Sequence, residues 1–260
     1  DPPPAADVLL LESTYGDRDH PGGADEALVG VVRDGARRGG AILVPAFAVG
    51  RTQELLWRLE ELAADGRIPD LPVYVDSPMA ADVTDIYSAH AGEHDARMVA
   101  RVRAGRDPLG VRFARTRDES KALNALHGPV IIISASGMAT GGRILHHLNQ
   151  RLEDPRTTVL LAGFQAAGTR GRALKDGARA VRIFGREVAV RAHVATLDAL
   201  SAHADRAELL RWLGGFQRPP GAIHLVHGEP EAAAALADAI RGRVKQVAVA
   251  RHRETVSLEP

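Results

Sequence analysis

The sequence predicts an α/β protein built on a mainly parallel sheet. Three observations carry this. Short apolar runs alternate with stretches whose apolar residues recur at helical spacing. The runs are continuous rather than alternating, Val130 to Ile133 above all, as strands buried on both faces require. Each run ends in a polar or glycine-bearing turn, the layout of strand–helix–strand units.

In order, Val8 to Leu11 reads as a buried strand ending in the polar turn Glu12-Ser-Thr-Tyr-Gly-Asp17. A helix from about Ala24 to Arg38 closes on Gly39-Gly40. Ala41 to Val44 is a second strand. The helix after it, from about Arg51 to Ala64, carries the stripe Leu55, Leu56, Leu59 and Leu62. Val73 to Val75 is a third strand running into Asp76-Ser-Pro78. Helices are expected over Met79 to Ala91, His94 to Arg103 and about Asp118 to Leu126, with a looser region from Asp107 to Thr116. Val130 to Ile133, a glycine-containing loop, and a helix from about Arg143 to Leu152 follow. Thr158 to Leu161 is a strand, and Gly163 to Gly171 a loop. From about Ala180 the texture changes: Val181 to Phe184 and Glu187 to Val190 flank Gly185-Arg186 as a hairpin. A helix from about Asp205 to Trp212, a strand over Ile223 to Val226, a helix over Pro230 to Ile240 and a strand over Val244 to Val249 complete the chain.

Composition narrows the classes. The 260 residues suffice for one large domain or two small ones. No apolar run approaches membrane-spanning length, and Asp-Pro-Pro-Pro is not a signal peptide, so no membrane partner is expected. The absence of cysteine removes disulfides and thiolate metal sites and fits a cytoplasmic protein. Acidic and basic residues balance at 33 each, so a nucleic-acid partner needs a local patch.

Polar groups gather where strands give way to loops. Glu12, Ser134 to Ser136 and His227 all sit there, the edge at which ligands bind in open α/β sheets. Ser136-Gly-Met138 through Gly141-Gly-Arg143 leads from strand to helix. Backbone N–H groups at such a helix start can hold a phosphate oxygen; Gly141 and Gly142 can equally serve close helix–sheet packing. Arg170, Arg172 and Arg51 suit phosphate or an ordinary solvated surface. Of eleven histidines, His203, in Ser201-Ala-His-Ala-Asp205, and His227, before Gly228, stand out. His20, His90, His94, His127, His193, His224 and His252 have no persuasive partners in the sequence. His146 and His147 are adjacent on a helix and cannot share a face. No His-x-His-x-Asp-His or His-Glu-x-x-His occurs, so spacing alone gives no complete zinc site.

Several segments together carry a resemblance. They are Leu10-Leu-Glu-Ser-Thr-Tyr-Gly16, Val44-Pro-Ala-Phe-Ala-Val-Gly-Arg-Thr-Gln-Glu54, Asp76-Ser-Pro-Met-Ala80, Ser134-Ala-Ser-Gly-Met138 with Gly142-Arg-Ile-Leu-His146, Gly168-Thr-Arg-Gly171, Ser201-Ala-His-Ala-Asp205 and His227-Gly-Glu229. In this order the chain resembles the β-CASP branch of the metallo-β-lactamase-fold nucleases over essentially its whole length. The resemblance implies a three-layer β-CASP domain over residues 16–185. It also implies metallo-β-lactamase segments over 1–15 and 186–260, the latter the C-terminal part of an αββα sandwich.

The resemblance further implies a zinc-dependent ribonuclease with two zinc ions and single-stranded RNA as partner. His227 is then a metal ligand, His203 the proton donor to the leaving group, and Glu12 the group that orients His203. Ser136, Gly137, Arg143 and Arg170 are the expected RNA-binding residues, with Arg51 in reserve. The family's His-x-His-x-Asp-His run would precede Glu12. The expectation is therefore that the N-terminal metal-ligand segment lies outside this chain, that zinc binding here is incomplete or absent, and that the chain alone is inactive. A DNA nuclease of the same fold and a catalytically silent RNA-binding partner subunit are the alternatives.

Overall fold

The computed structural model describes residues 3–93, 96, 99–100 and 109–256, and its contacts divide the chain into two compact units. One comprises residues 1–22 with 201–260, the other residues 23–200. The expected helix from His94 to Arg103 and the start of the looser region at Asp107 fall largely outside the described residues.

The larger unit is built on a six-stranded parallel sheet. Its strands are β2 (Ala41–Pro45), β3 (Val73–Asp76), β4 (Arg112–Phe113), β5 (Val130–Ser134), β6 (Thr158–Ala162) and β9 (His193–Leu197), in the order β4-β3-β5-β2-β6-β9. The continuous apolar runs have their cause here, because both faces are covered. Ile131 and Ile133 point with Ile42, Val44, Val73 and Val75 into a core closed by α1 (Ala24–Arg38) and α2 (Arg51–Ala64). Val130 and Ile132 point with Leu43, Val159 and Leu161 the other way. That second core is closed by α5 (Ile144–Arg151), α6 (Arg170–Lys175) and the antiparallel hairpin β7 (Ala180–Ile183)–β8 (Arg186–Ala189). Two further α-helices lie among the described residues of this unit. α3 (Pro78–Ala89) starts on a Ser77 cap, and α4 (Arg117–Ala122) starts on a Thr116–Glu119 capping box.

The texture changes at about Ala180 and the resemblance implies a domain over 16–185, whereas the compact unit runs from Gly23 to Leu200. The extension has a physical cause. β9 pairs with β6 over five register positions, from Thr158↔His193 to Ala162↔Leu197. β9, β4 and α6 are not foreseen by the sequence reading. β9 has polar residues at its first and fourth positions, and β4 is only two residues long.

The smaller unit is a three-stranded parallel sheet, β1 (Val8–Glu12), β10 (Ala222–Val226) and β11 (Gln246–Val249), in the order β1-β10-β11. Leu11, Ile223 and Leu225 pack against Leu209 of α7 (Arg206–Leu213) and against Leu236, Ala237 and Ile240 of α8 (Pro230–Ile240). The parallel register sets Leu11 beside Leu225 and Glu12 beside Val226, so the turns after both strands emerge together. Gly16 lets the first of these turns lie against α8. A Cβ there would stand 2.5 Å from Ala232 O and 2.7 Å from Leu236 Cβ.

Gly16→Ala should therefore destabilise the fold by about 1–3 kcal/mol, the typical cost of overpacking. A lowered denaturation midpoint at unchanged slope would show it. A midpoint equal to that of the wild type would contradict this account of the Gly16 contact.

Candidate functional site

The turns at the ends of β1 and β10 form the candidate site. Ser13, fully buried, donates its hydroxyl to Val226 O at 2.9 Å. Gly228 makes the approach possible, since a Cβ there would lie 2.3 Å from Ser13 Oγ. Just before it, His227 adopts a left-handed backbone with φ 55°. The Thr14 hydroxyl donates to His227 O at 2.9 Å. With its one proton so used, Thr14 Oγ1 meets His227 Nδ1 at 3.1 Å and His203 Nδ1 at 3.3 Å as an acceptor. This arrangement favours the Nδ1–H tautomer in both rings, which would leave the Nε2 lone pairs free. The two rings are stacked, with centroids 5.1 Å apart.

Glu12 completes the group. Its carboxylate accepts from Thr14 N at 2.9 Å and from Ala204 N at 3.2 Å, and Oε2 lies 3.3 Å from His203 Nδ1. One ligand atom from each of Glu12, His203 and His227 falls within 4.8 Å of the others. Two imidazoles and a carboxylate are donors that suit zinc, although structural zinc takes four. An open groove lined by Leu11, Glu12, Ser201, His203, Leu209 and Trp212 adjoins them.

The segment before α7 is held by groups the sequence reading missed. His20 Nε2 lies 2.9 Å from His203 O, so His20 does have a partner. Asp205 accepts from His20 N at 3.0 Å and, as the helix cap, from Glu208 N at 2.8 Å. Burial would push the Asp205 carboxyl up, but these backbone donors outweigh it and hold the group below its ordinary value. Thr14 and Asp205 lie inside the segments that carry the resemblance, and their position there is the one signal that could have found them.

The expected RNA-binding loop lies in the larger unit, at the C-terminal edge of its sheet. Ser136 Oγ accepts from Thr140 N at 3.1 Å and Gly141 N at 3.3 Å, folding the loop on itself. Gly137 is buried. Arg143 donates to Asp76 Oδ1 at 2.9 Å and to the carbonyls of Ala114 and Arg115, both at 3.0 Å. Arg170 donates to Arg182 O at 2.5 Å and to Ala139 O and Thr140 O, each at 3.3 Å. Arg51 donates to Glu54 at 2.5 Å. The Arg143 and Arg170 contacts support the loop, while Arg51 pairs within α2. Asp76, the partner of Arg143, is fully buried and accepts also from Ser120 Oγ and His147 Nε2, both at 2.7 Å. Burial would raise its carboxyl, but the bonds from His147, Ser120 and Arg143 prevail and hold it below the usual range. His146, the adjacent residue, is exposed against Phe184, as its different helical face requires.

The family model of the Beta-Casp domain matches residues 52–174, and that of the Zn-dependent metallo-hydrolase RNA specificity domain matches residues 187–250. The chain belongs to the β-CASP branch of the metallo-β-lactamase-fold nucleases. Among its β-CASP relatives, "Ribonuclease TTHA0252" of Thermus thermophilus is 39% identical over 98% of this chain and 59% of that protein. "Transcription termination factor FttA" of Pyrococcus horikoshii is 35% identical over 91% of this chain and 38% of its own length. An "RNase J-like protein" of Methanocaldococcus jannaschii is 32% identical over 86% and 52% respectively. The chain thus spans between 38% and 59% of the length of these three β-CASP relatives. No helix among the described residues is long and apolar enough to cross a membrane.

Asp76→Asn should destabilise the protein by about 3–5 kcal/mol, as when one partner of a buried charged network is removed. Because the carboxyl titrates below its ordinary value of 3.8, its contribution is complete above that pH and is lost as pH falls through the lower folded value. The stability difference between wild type and variant should therefore stay constant from neutrality down to about pH 4 and shrink only below it. Denaturant unfolding across that range measures it.

Proposed function

We propose that the chain forms part of a zinc-dependent ribonuclease that hydrolyses RNA phosphodiester bonds. The observation that carries this is the cluster of Glu12, His203 and His227 around the Thr14 hydroxyl. Family membership and the names of two relatives, a ribonuclease and an RNase J-like protein, support RNA as the substrate.

His227 would hold a zinc ion through Nε2, since its Nδ1 proton is directed to Thr14. Bound zinc supplies a Lewis acid and an activated water to an attack on phosphorus. His203 is placed differently. Its Nδ1 faces both Thr14 and Glu12, which fixes the ring, so that Nε2, once it has taken up a second proton to form the imidazolium, can pass that proton to the departing oxygen. Glu12 is itself held by two backbone donors, so it is an orienting group with little freedom to swing. Zinc takes four ligands, and two ions held about 3.5–4 Å apart need more donors than these three. The other donors would have to come from outside the described residues.

The test separates the two histidines. In the zinc-loaded full-length protein, His203→Ala should slow RNA hydrolysis by about 10²–10⁴-fold with zinc content unchanged. His227→Ala should lower zinc content as well. Full activity in the His203 variant would remove its proton-transfer role. Hydrolysis of DNA in preference to RNA would point to the related DNA nuclease. Two tightly bound zinc ions and RNA cleavage by the 260-residue chain alone would show that these residues need no further ligands.

A further inference from the structure

At the C-terminal edge of the larger sheet, three neighbouring strands end level, with Ser134 in register with Pro45 on one side and Asp76 on the other. The turns after β2, β3 and β5 therefore emerge side by side. They carry unusual apolar exposure. Phe47 is 50% exposed, Val49 59% and Met79 62%.

These side chains stand on a backbone that is firmly held. Ala46 N donates to Ser134 O at 3.1 Å, and Phe47 O accepts from Thr52 Oγ1 at 2.8 Å and Thr52 N at 3.3 Å. Buried Gln53 ties two of the turns together, donating through Nε2 to Ala48 O at 3.1 Å and Ala80 O at 3.3 Å. The Phe47 ring rests on Gly137. A Cβ at that position would lie 2.9 and 3.0 Å from two of its ring carbons. A half-exposed ring fixed against a glycine backbone has lost little further freedom to lose on binding a flat partner.

We propose that Phe47 is a stacking platform for a nucleobase of single-stranded RNA, with Val49 and Met79 as its apolar rim. The proposal rests on the reading of RNA as the substrate. A base offers a π-face whatever its identity, so a bare aromatic ring binds it without a sequence code. Three side chains fall well short of the roughly 800 Å² per partner that a stable protein interface buries. The polar groups of the adjacent loop are committed to its own fold, as Ser136 and Arg143 show. What this edge offers a ligand is chiefly apolar and aromatic, which matches the base rather than the phosphate.

The test uses the full chain and two labelled ten-nucleotide probes, oligoadenylate and its abasic ribose-phosphate counterpart, compared by fluorescence anisotropy. Phe47→Ala should weaken oligoadenylate binding by about 5- to 100-fold, and Phe47→Trp should restore it. Binding of the abasic strand should not change. Unaltered oligoadenylate affinity in Phe47→Ala overturns the proposal, as does an equal loss for both probes or no binding of either by the wild type. A changed sedimentation coefficient with unchanged RNA affinity would assign Phe47 to a protein interface and overturn it too. Zinc uptake at His227 tests the nuclease reading separately, because Phe47 has no part in it.

Discussion

The pairing of Val8–Glu12 with Ala222–Val226 is the constraint on which the candidate site depends. Parallel register leaves no choice about what lies beside what: Glu12 is level with Val226, and the next residue on the second strand is His227. A slip of one position would turn Leu11 and Leu225 off their common face and expose a core that includes Ile223 and Leu236. The apolar core thus fixes the register, and the register delivers a carboxylate and an imidazole to one sheet end. Thr14 then converts proximity into chemistry. With its single proton directed to His227 O, the hydroxyl is left to accept from both rings, which favours the Nδ1–H tautomer in each.

The larger unit solves a different problem with similar means. Its central strands β2, β5 and β6 are apolar on both faces between their ends, so they hold no polar chemistry along their length. Their polar groups are confined to the strand ends. Asp76, at the end of β3, is the extreme case, a carboxylate with no exposure that survives because Ser120, Arg143 and His147 all donate to it. That network binds the turn after β3, the loop after β5 and helix α5 into one rigid edge.

Much of this architecture is legible in the sequence, and the failures are instructive. Val130 to Ile133 reads as a doubly buried strand because its β-branched residues have no polar alternation, and it is one of the two central strands of the six-stranded sheet. β9 is invisible because His193 and Thr196 break its apolar run, and only its pairing with β6 makes it a strand. Glu12, His203 and His227 can be picked out by resemblance, each at a strand end or before a helix. Their connector, Thr14, cannot be found from spacing, because the bond spans residues 189 and 213 positions apart. Arg143 shows what the sequence hides. A guanidinium beside a glycine loop reads as a phosphate contact, and its pairing with a buried carboxylate 67 positions away is visible only in the fold.

Histidine side-chain nitrogen NMR on the full chain, recorded where the rings are neutral, tests the central claim most directly. The account predicts the Nδ1–H tautomer for both His203 and His227, with both signals changing together in Thr14→Val. Nε2–H rings, or tautomers indifferent to the Thr14 hydroxyl, would contradict it.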